Sequence, residues 1–259
     1  MVKKSLVVAA AAVVLVAAGA VVTQQAFADE VPVYHPTRLA HVGDAKQLIV
    51  VTGVSIPSTY ATLRTYQLGA NGTWSERYPA MAARNGYAGW AWYTVRKQDT
   101  GTTPAGTFPI TWTFGVKANP GTKMYYRKVD GNDYWVGDNK DAKTYNLFQP
   151  TVSAKRTWRT GEGERLAAYP VQYEYAAMID FNRPPASSLT WNARLGEYTT
   201  NRPADVRRGS AIFLHVNGKG STAGCVSVAR ADMIRVLQWL DPALKPRIVM
   251  APEGSIGKA

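Results

Sequence analysis

The sequence predicts a mainly β protein, built as a sheet or two-sheet sandwich with one helix near its C-terminal end. Three observations carry this. Apolar runs of strand length recur along the chain, some continuous and some alternating at period two. Clusters of Gly, Pro, Asn and Asp separate them. Helical periodicity is clear at one place, where Met233, Val236, Leu237 and Leu240 recur at i, i+3, i+4 and i+7 before Asp241-Pro242 stops the pattern.

The chain opens differently. Lys3 and Lys4 precede an Ala/Val/Leu-rich run from Leu6 to Val22, and Ala26-Phe27-Ala28 offers a small-x-small cleavage site. This is the layout of a secretory signal peptide over 1–28, removed after Ala28 to leave Asp29 first. The alternative is an uncleaved membrane anchor, for which the run is at the short limit. Cleavage leaves 259 − 28 = 231 residues, enough for one large domain. No second apolar run approaches membrane length, so no stable membrane insertion is expected after cleavage.

Residues 29–45 carry Pro32 and Pro36 with little periodicity and read as a leader strand or linker. Gln47 to Thr52 reads as a buried strand, and Thr62 to Leu68 as its alternating neighbour, closed by Gly69-Ala70-Asn71-Gly72. Trp74, Tyr78, Tyr87, Trp90, Trp92 and Tyr93 among glycines indicate strands and loops. Thr102 to Thr107 reads as a turn, with Pro104 presetting φ and Gly106 closing it. Phe108, Ile110, Trp112 and Phe114 then alternate along one strand face, which Pro109 places at a sheet edge. From Asn119 to Asn146 the chain reads as a long, loosely structured excursion, either lining a groove or forming a surface loop.

The last third holds the chemistry. Ala211-Ile212-Phe213-Leu214 is an apolar strand delivering His215. Gly218, Gly220 and Gly224 allow a tight reversal. Cys225-Val226-Ser227-Val228 resumes strand character, antiparallel to the first run, and Arg247 to Met250 is a final strand. Cys225 is the only cysteine, so in an exported chain it has no internal disulfide partner. It is an intermolecular bridge, a reactive thiol or an inert buried one. An imidazole across a short glycine-rich loop favours the reactive thiol, because a histidine can take the thiol proton.

Composition narrows the rest. The formal charge is +12, or +10 without Lys3 and Lys4, which suits an anionic wall polymer or lipid surface. The charges are scattered, with no basic run or zinc or helix-turn-helix spacing, so nucleic acid is not expected. Three histidines at 35, 41 and 215 form no His-x-x-x-His pair, and no glycine-rich nucleotide fingerprint opens a helix. No metal or other cofactor is therefore expected. A serine elbow fails at Ser221, flanked by Lys219 and Ala223, and Ser255 to Lys258 sits too near the end to be a catalytic Ser-x-x-Lys helix.

Thr222-Ala223-Gly224-Cys225 with an upstream histidine resembles the nucleophile motif of the L,D-transpeptidase (YkuD-like) catalytic domain. Thr103-Pro104-Ala105-Gly106-Thr107-Phe108 is similar to that family's Thr-Pro-x-Gly-x-Phe segment. The resemblance spans residues 46–251, leaving 252–259 as a tail. It departs in having Ala223 where the commonest form has histidine, Ser227 where it has arginine, and a shorter gap from histidine to cysteine. Arg230 is the candidate replacement for that arginine.

The resemblance implies a YkuD-like fold and a cysteine acyltransferase acting on peptidoglycan stem peptides at the cell wall. Cys225 would form a thioester with release of D-alanine, and His215 would be the base. The backbone N–H groups of Ala223, Gly224 and Cys225 would bind the oxyanion, with Thr222 and Ser221 as further substrate contacts. The alternatives are an L,D-carboxypeptidase of the same fold and a non-catalytic wall-binding protein.

Overall fold

In the computed structural model, which describes residues 31–259, the apolar run at residue 47 becomes β1 (Gln47–Gly53), buried at every position. The proposed signal segment, 1–28, lies outside the described residues. β2 (Tyr60–Leu68) and β3 (Trp74–Arg84) follow as antiparallel neighbours. After β4 (Trp90–Trp92) and the long β5 (Thr103–Gly115) come β6 (Tyr126–Lys128), β7 (Tyr134–Val136), β8 (Phe148–Gln149) and β9 (Gly163–Arg165). Next are β10 (Ala176–Ile179), β11 (Leu189–Asn192), β12 (Glu197–Thr200), β13 (Phe213–Val216) and β14 (Val226–Val228). α1 (Arg230–Trp239) and β15 (Arg247–Pro252) complete the main order.

Strand pairing runs β10-β13-β14-β3-β2-β1-β15-β5, and β5 also pairs with β10. The expected sheet or sandwich is therefore one sheet that curls back on itself through β5. Strand alternation then divides inside from outside. Ile49, Val51, Leu214, Val216, Val226 and Val228 join α1 residues Met233, Val236 and Leu237 in the inner core. Leu48 and Val50 face outward into a second cluster with Leu39, Ala45, Ile256 and Ala259, from the segments read as leader and tail. β1 is apolar throughout because each of its faces meets a core.

Phe213 and Cys225 lie in a third cluster, on the outer face of β13 and the loop entering β14, with Phe114, Trp135, Leu166 and Tyr173. The segment from Asn119 to Asn146 helps to cover this face and is not loosely structured. It supplies β6 on β5, and β7 at the centre of a small sheet ordered β8-β7-β9. Its Asp residues act as turn formers: Asp133 accepts from the Asp130 N–H and from Arg127, and Asp138 accepts from Lys140 and Arg159.

Three local readings are corrected. Thr103 to Thr107 is the start of β5, not a turn, because Thr103, Pro104 and Ala105 pair with β4 while Gly106 and Thr107 pair with β15. Pairing on both sides overrides the local turn preference. Pro109 lies inside β5, opposite Arg247, so it marks no edge. Its carbonyl accepts from Asp180 N at 3.0 Å. β13 and β14 run parallel, Leu214 beside Val226 and His215 beside Ser227. The glycine-rich loop therefore carries the chain back along the strand instead of making a hairpin.

Candidate active site

Parallel register sets the geometry. Phe213 and His215 share one face of β13; the next strand places Ser227 beside His215 and Cys225 one pleat earlier, beside Phe213. The Phe213 N–H reaches Cys225 Sγ at 3.3 Å, and Sγ donates to Ala211 O at 3.3 Å. His215 and Cys225 line one cavity of about 690 Å³. Its wall includes the loop from Gly218 to Ala223, and Tyr169 and Tyr173.

The loop that carries Cys225 is held from several sides. Thr222 donates its N–H to Asn85 O at 2.9 Å, and its carbonyl accepts from Tyr87 N at 2.8 Å. Its hydroxyl donates to Cys225 O at 2.6 Å and accepts from Gly224 N at 3.1 Å. Thr103 Oγ1 takes the Gly86 N–H at 2.8 Å and donates to Cys225 O at 3.4 Å. The threonine of the Thr-Pro segment thus braces the cysteine across the sheet. Gly224 has φ of 136°, and a Cβ there would come within 2.9 Å of Thr102 O. Backbone conformation and space both require glycine.

Burial disfavours the charged form of both Cys225 and His215. Burial pushes the Cys225 thiol up to about 12, reinforced by Glu164, against the opposing Phe213 N–H and Arg96. Burial holds His215 down at about 4. His215 Nδ1 lies 2.8 Å from Val216 O. A carbonyl only accepts, so Nδ1 carries the proton and Nε2 keeps its lone pair. Tyr173 packs edge-on against the imidazole, ring centroids 5.6 Å apart, and its hydroxyl bonds the Glu164 carboxyl. Burial raises Glu164 to about 7.

The remaining sequence candidates divide. Ser221, Thr222 and Ala223 line the cavity, though the Thr222 hydroxyl is occupied within its own loop. The Gly224 N–H is taken by Thr222; those of Ala223 and Cys225 have no acceptor among the described residues. Arg230 does not line the cavity: it grips Glu174 through two contacts of 2.8 Å on the surface. Ser227 is fully buried and its hydroxyl has no partner among the described residues. Sequence reading missed Arg96, Glu164 and Tyr173. Nothing local distinguished Arg96 among 30 basic residues; the folded chain does so by burying it.

Among the described residues no group of His, Cys, Asp or Glu is arranged to hold a metal ion. The family model for the L,D-transpeptidase catalytic domain, YkuD, matches residues 61–249, a span containing both the Thr-Pro segment and the His215–Cys225 region. Comparison with curated proteins and with solved structures gave no match.

Proposed function

Since the chain belongs to the YkuD family of L,D-transpeptidase catalytic domains, enzymes of peptidoglycan stem peptides, we propose that it is an exported cysteine acyltransferase with Cys225 as nucleophile and His215 as base. One observation carries this reading: the only thiol, at the entry to β14, and a histidine on the adjacent parallel strand β13, its Nδ1 held by the Val216 carbonyl, line one cavity.

Cys225 Sγ attacks the carbonyl of the third stem residue at its L centre while His215 Nε2 takes the thiol proton. The tetrahedral oxyanion is met by the N–H groups of Ala223 and Cys225. The C–N bond to D-alanine breaks, the proton passes from His215 to the leaving amine, and a thioester remains. The amine of a neighbouring stem then loses a proton to His215 and attacks the thioester, making a 3→3 cross-link and restoring the thiol. Because burial disfavours the charged form of both groups, proton transfer accompanies attack; a stored thiolate is not required. Water in place of the amine would make the product a tripeptide, the carboxypeptidase outcome.

The leader over 1–28 and the basic charge support an extracytoplasmic site of action near anionic wall polymers. Among the described residues no helix is long and apolar enough to cross a membrane. Incubation with a disaccharide tetrapeptide, followed by mass spectrometry, tests the reading. A cross-linked dimer is expected. Tripeptide alone would reassign the chain to hydrolysis, and no product from folded protein would leave the wall-binding alternative.

A further inference from the structure

Arg96 is 4% exposed and stands beside the nucleophile loop. Its Nε donates to Thr102 O at 2.8 Å and Nη1 to Arg208 O at 2.6 Å, while the guanidinium lies 5.5 Å from the Phe181 ring centre. These neutral contacts fix its plane. No carboxylate among the described residues forms an ion pair with it, although the exposed Asp99 lies on the same loop. Nη2 has no acceptor among the described residues, and Arg96 lines the cavity that holds Cys225 and His215.

Space for this cation is kept by two glycines. A Cβ on Gly209 would fall 1.8 Å from Nη1, and one on Gly224 would fall 2.9 Å from Nη2. Nη2 therefore sits next to the residue that precedes the nucleophile. A buried charge without a counter-ion is unfavourable, and buried arginines are normally paired. Among the described residues no acidic group around the cavity pairs with Arg96. Glu164 is engaged with Tyr173, and the Cys225 thiol is protonated, donating to Ala211 O. The complementary charge is left to a ligand.

We propose that Arg96 is the carboxylate anchor of the donor site, its Nη2 receiving the C-terminal carboxylate of the residue that leaves when Cys225 attacks. That carboxylate lies one residue beyond the scissile carbonyl, roughly 3.5 Å of chain. This matches a cation beside Gly224, next to the nucleophile. It answers the departure at Ser227: the charge enters from the β4–β5 connection instead of from β14, while Arg230 stays on Glu174. The anion site follows from the unpaired cation; only the identity of the carboxylate rests on the acyl-transfer reading.

The test uses the full chain and two alkylating agents differing in charge, iodoacetate and iodoacetamide, at pH 9. The iodoacetate-to-iodoacetamide rate ratio at Cys225 should fall about tenfold or more in Arg96→Met and less in Arg96→Lys, the scale of a charge-assisted hydrogen bond. On the wild type, N-acetyl-D-alanine should slow alkylation by iodoacetamide and its amide should not. This second measurement decides the matter if Arg96→Met fails to fold. An unchanged ratio in folded Arg96→Met, or equal protection by acid and amide, overturns the anchor. Charge-selective protection without turnover of tetrapeptide would retain the anchor and sink the transferase reading. Turnover without selectivity would do the reverse.

Discussion

The base role proposed for His215 rests on what its other nitrogen touches. The Val216 carbonyl fixes the Nδ1–H tautomer, and burial keeps the ring neutral, with its proton affinity brought down to about 4. Cys225 is correspondingly protonated, its thiol raised to about 12. Its alkylation rate should therefore keep climbing with pH beyond 9. A plateau near pH 7 would show a resting thiolate–imidazolium pair instead. His215→Gln keeps the size of the side chain but removes the base, so turnover of the tetrapeptide should fall by roughly 10²–10⁴-fold. Cys225→Ala should abolish dimer and tripeptide together, since the cavity offers no second thiol.

The glycine-rich connection between β13 and β14 is a braced element. It returns the chain to a parallel start and presents Cys225 beside Phe213, fastened by Thr222 from within and by Thr103 from β5. Gly224→Ala would add a Cβ against Thr102 O and Arg96 at a φ of 136°. We expect a loss of about 1–3 kcal/mol in urea unfolding, together with loss of turnover. Wild-type stability in that variant would mean that the loop yields. Thr103→Val would remove the acceptor for the buried Gly86 N–H and should destabilise the fold by about 1–3 kcal/mol.

Across the whole molecule, two groups at the cavity tie stability to pH with opposite signs. His215 is lowered in the fold from 6.5 to about 4, so the unfolded chain takes up its proton first. Its effect is a loss of stability as pH falls from 6.5 towards 4. Glu164 is raised from 4.5 to about 7, so the native state holds the proton longer. Its contribution is full below 4.5 and disappears as pH rises through 7. Relative to wild type, His215→Gln should lose stability more steeply from pH 4.5 to 7. Glu164→Gln should gain stability more steeply from pH 4 to 6.5. Melting profiles of the two variants that stay parallel to the wild type would remove both groups from this linkage.

What could be read along the chain was what repeats locally or stands alone in composition. The continuous run of β1, the period of α1 and the lone Cys225 close to His215 are properties of neighbouring residues, and the mainly β class followed from the first kind of signal, repeated along the chain. The Thr-Pro segment was visible as a motif but not as a strand, because β4 and β15, which hold it extended, come from distant parts of the sequence. The direction of β14 was equally hidden. A short glycine loop permits either sense, and the choice was made by β3 and β13 flanking it on both sides. Arg96, Glu164 and Tyr173 had no local signature at all. Their roles come from burial and from the partners that burial leaves them, and those exist only once the sheet has curled and its outer face is covered.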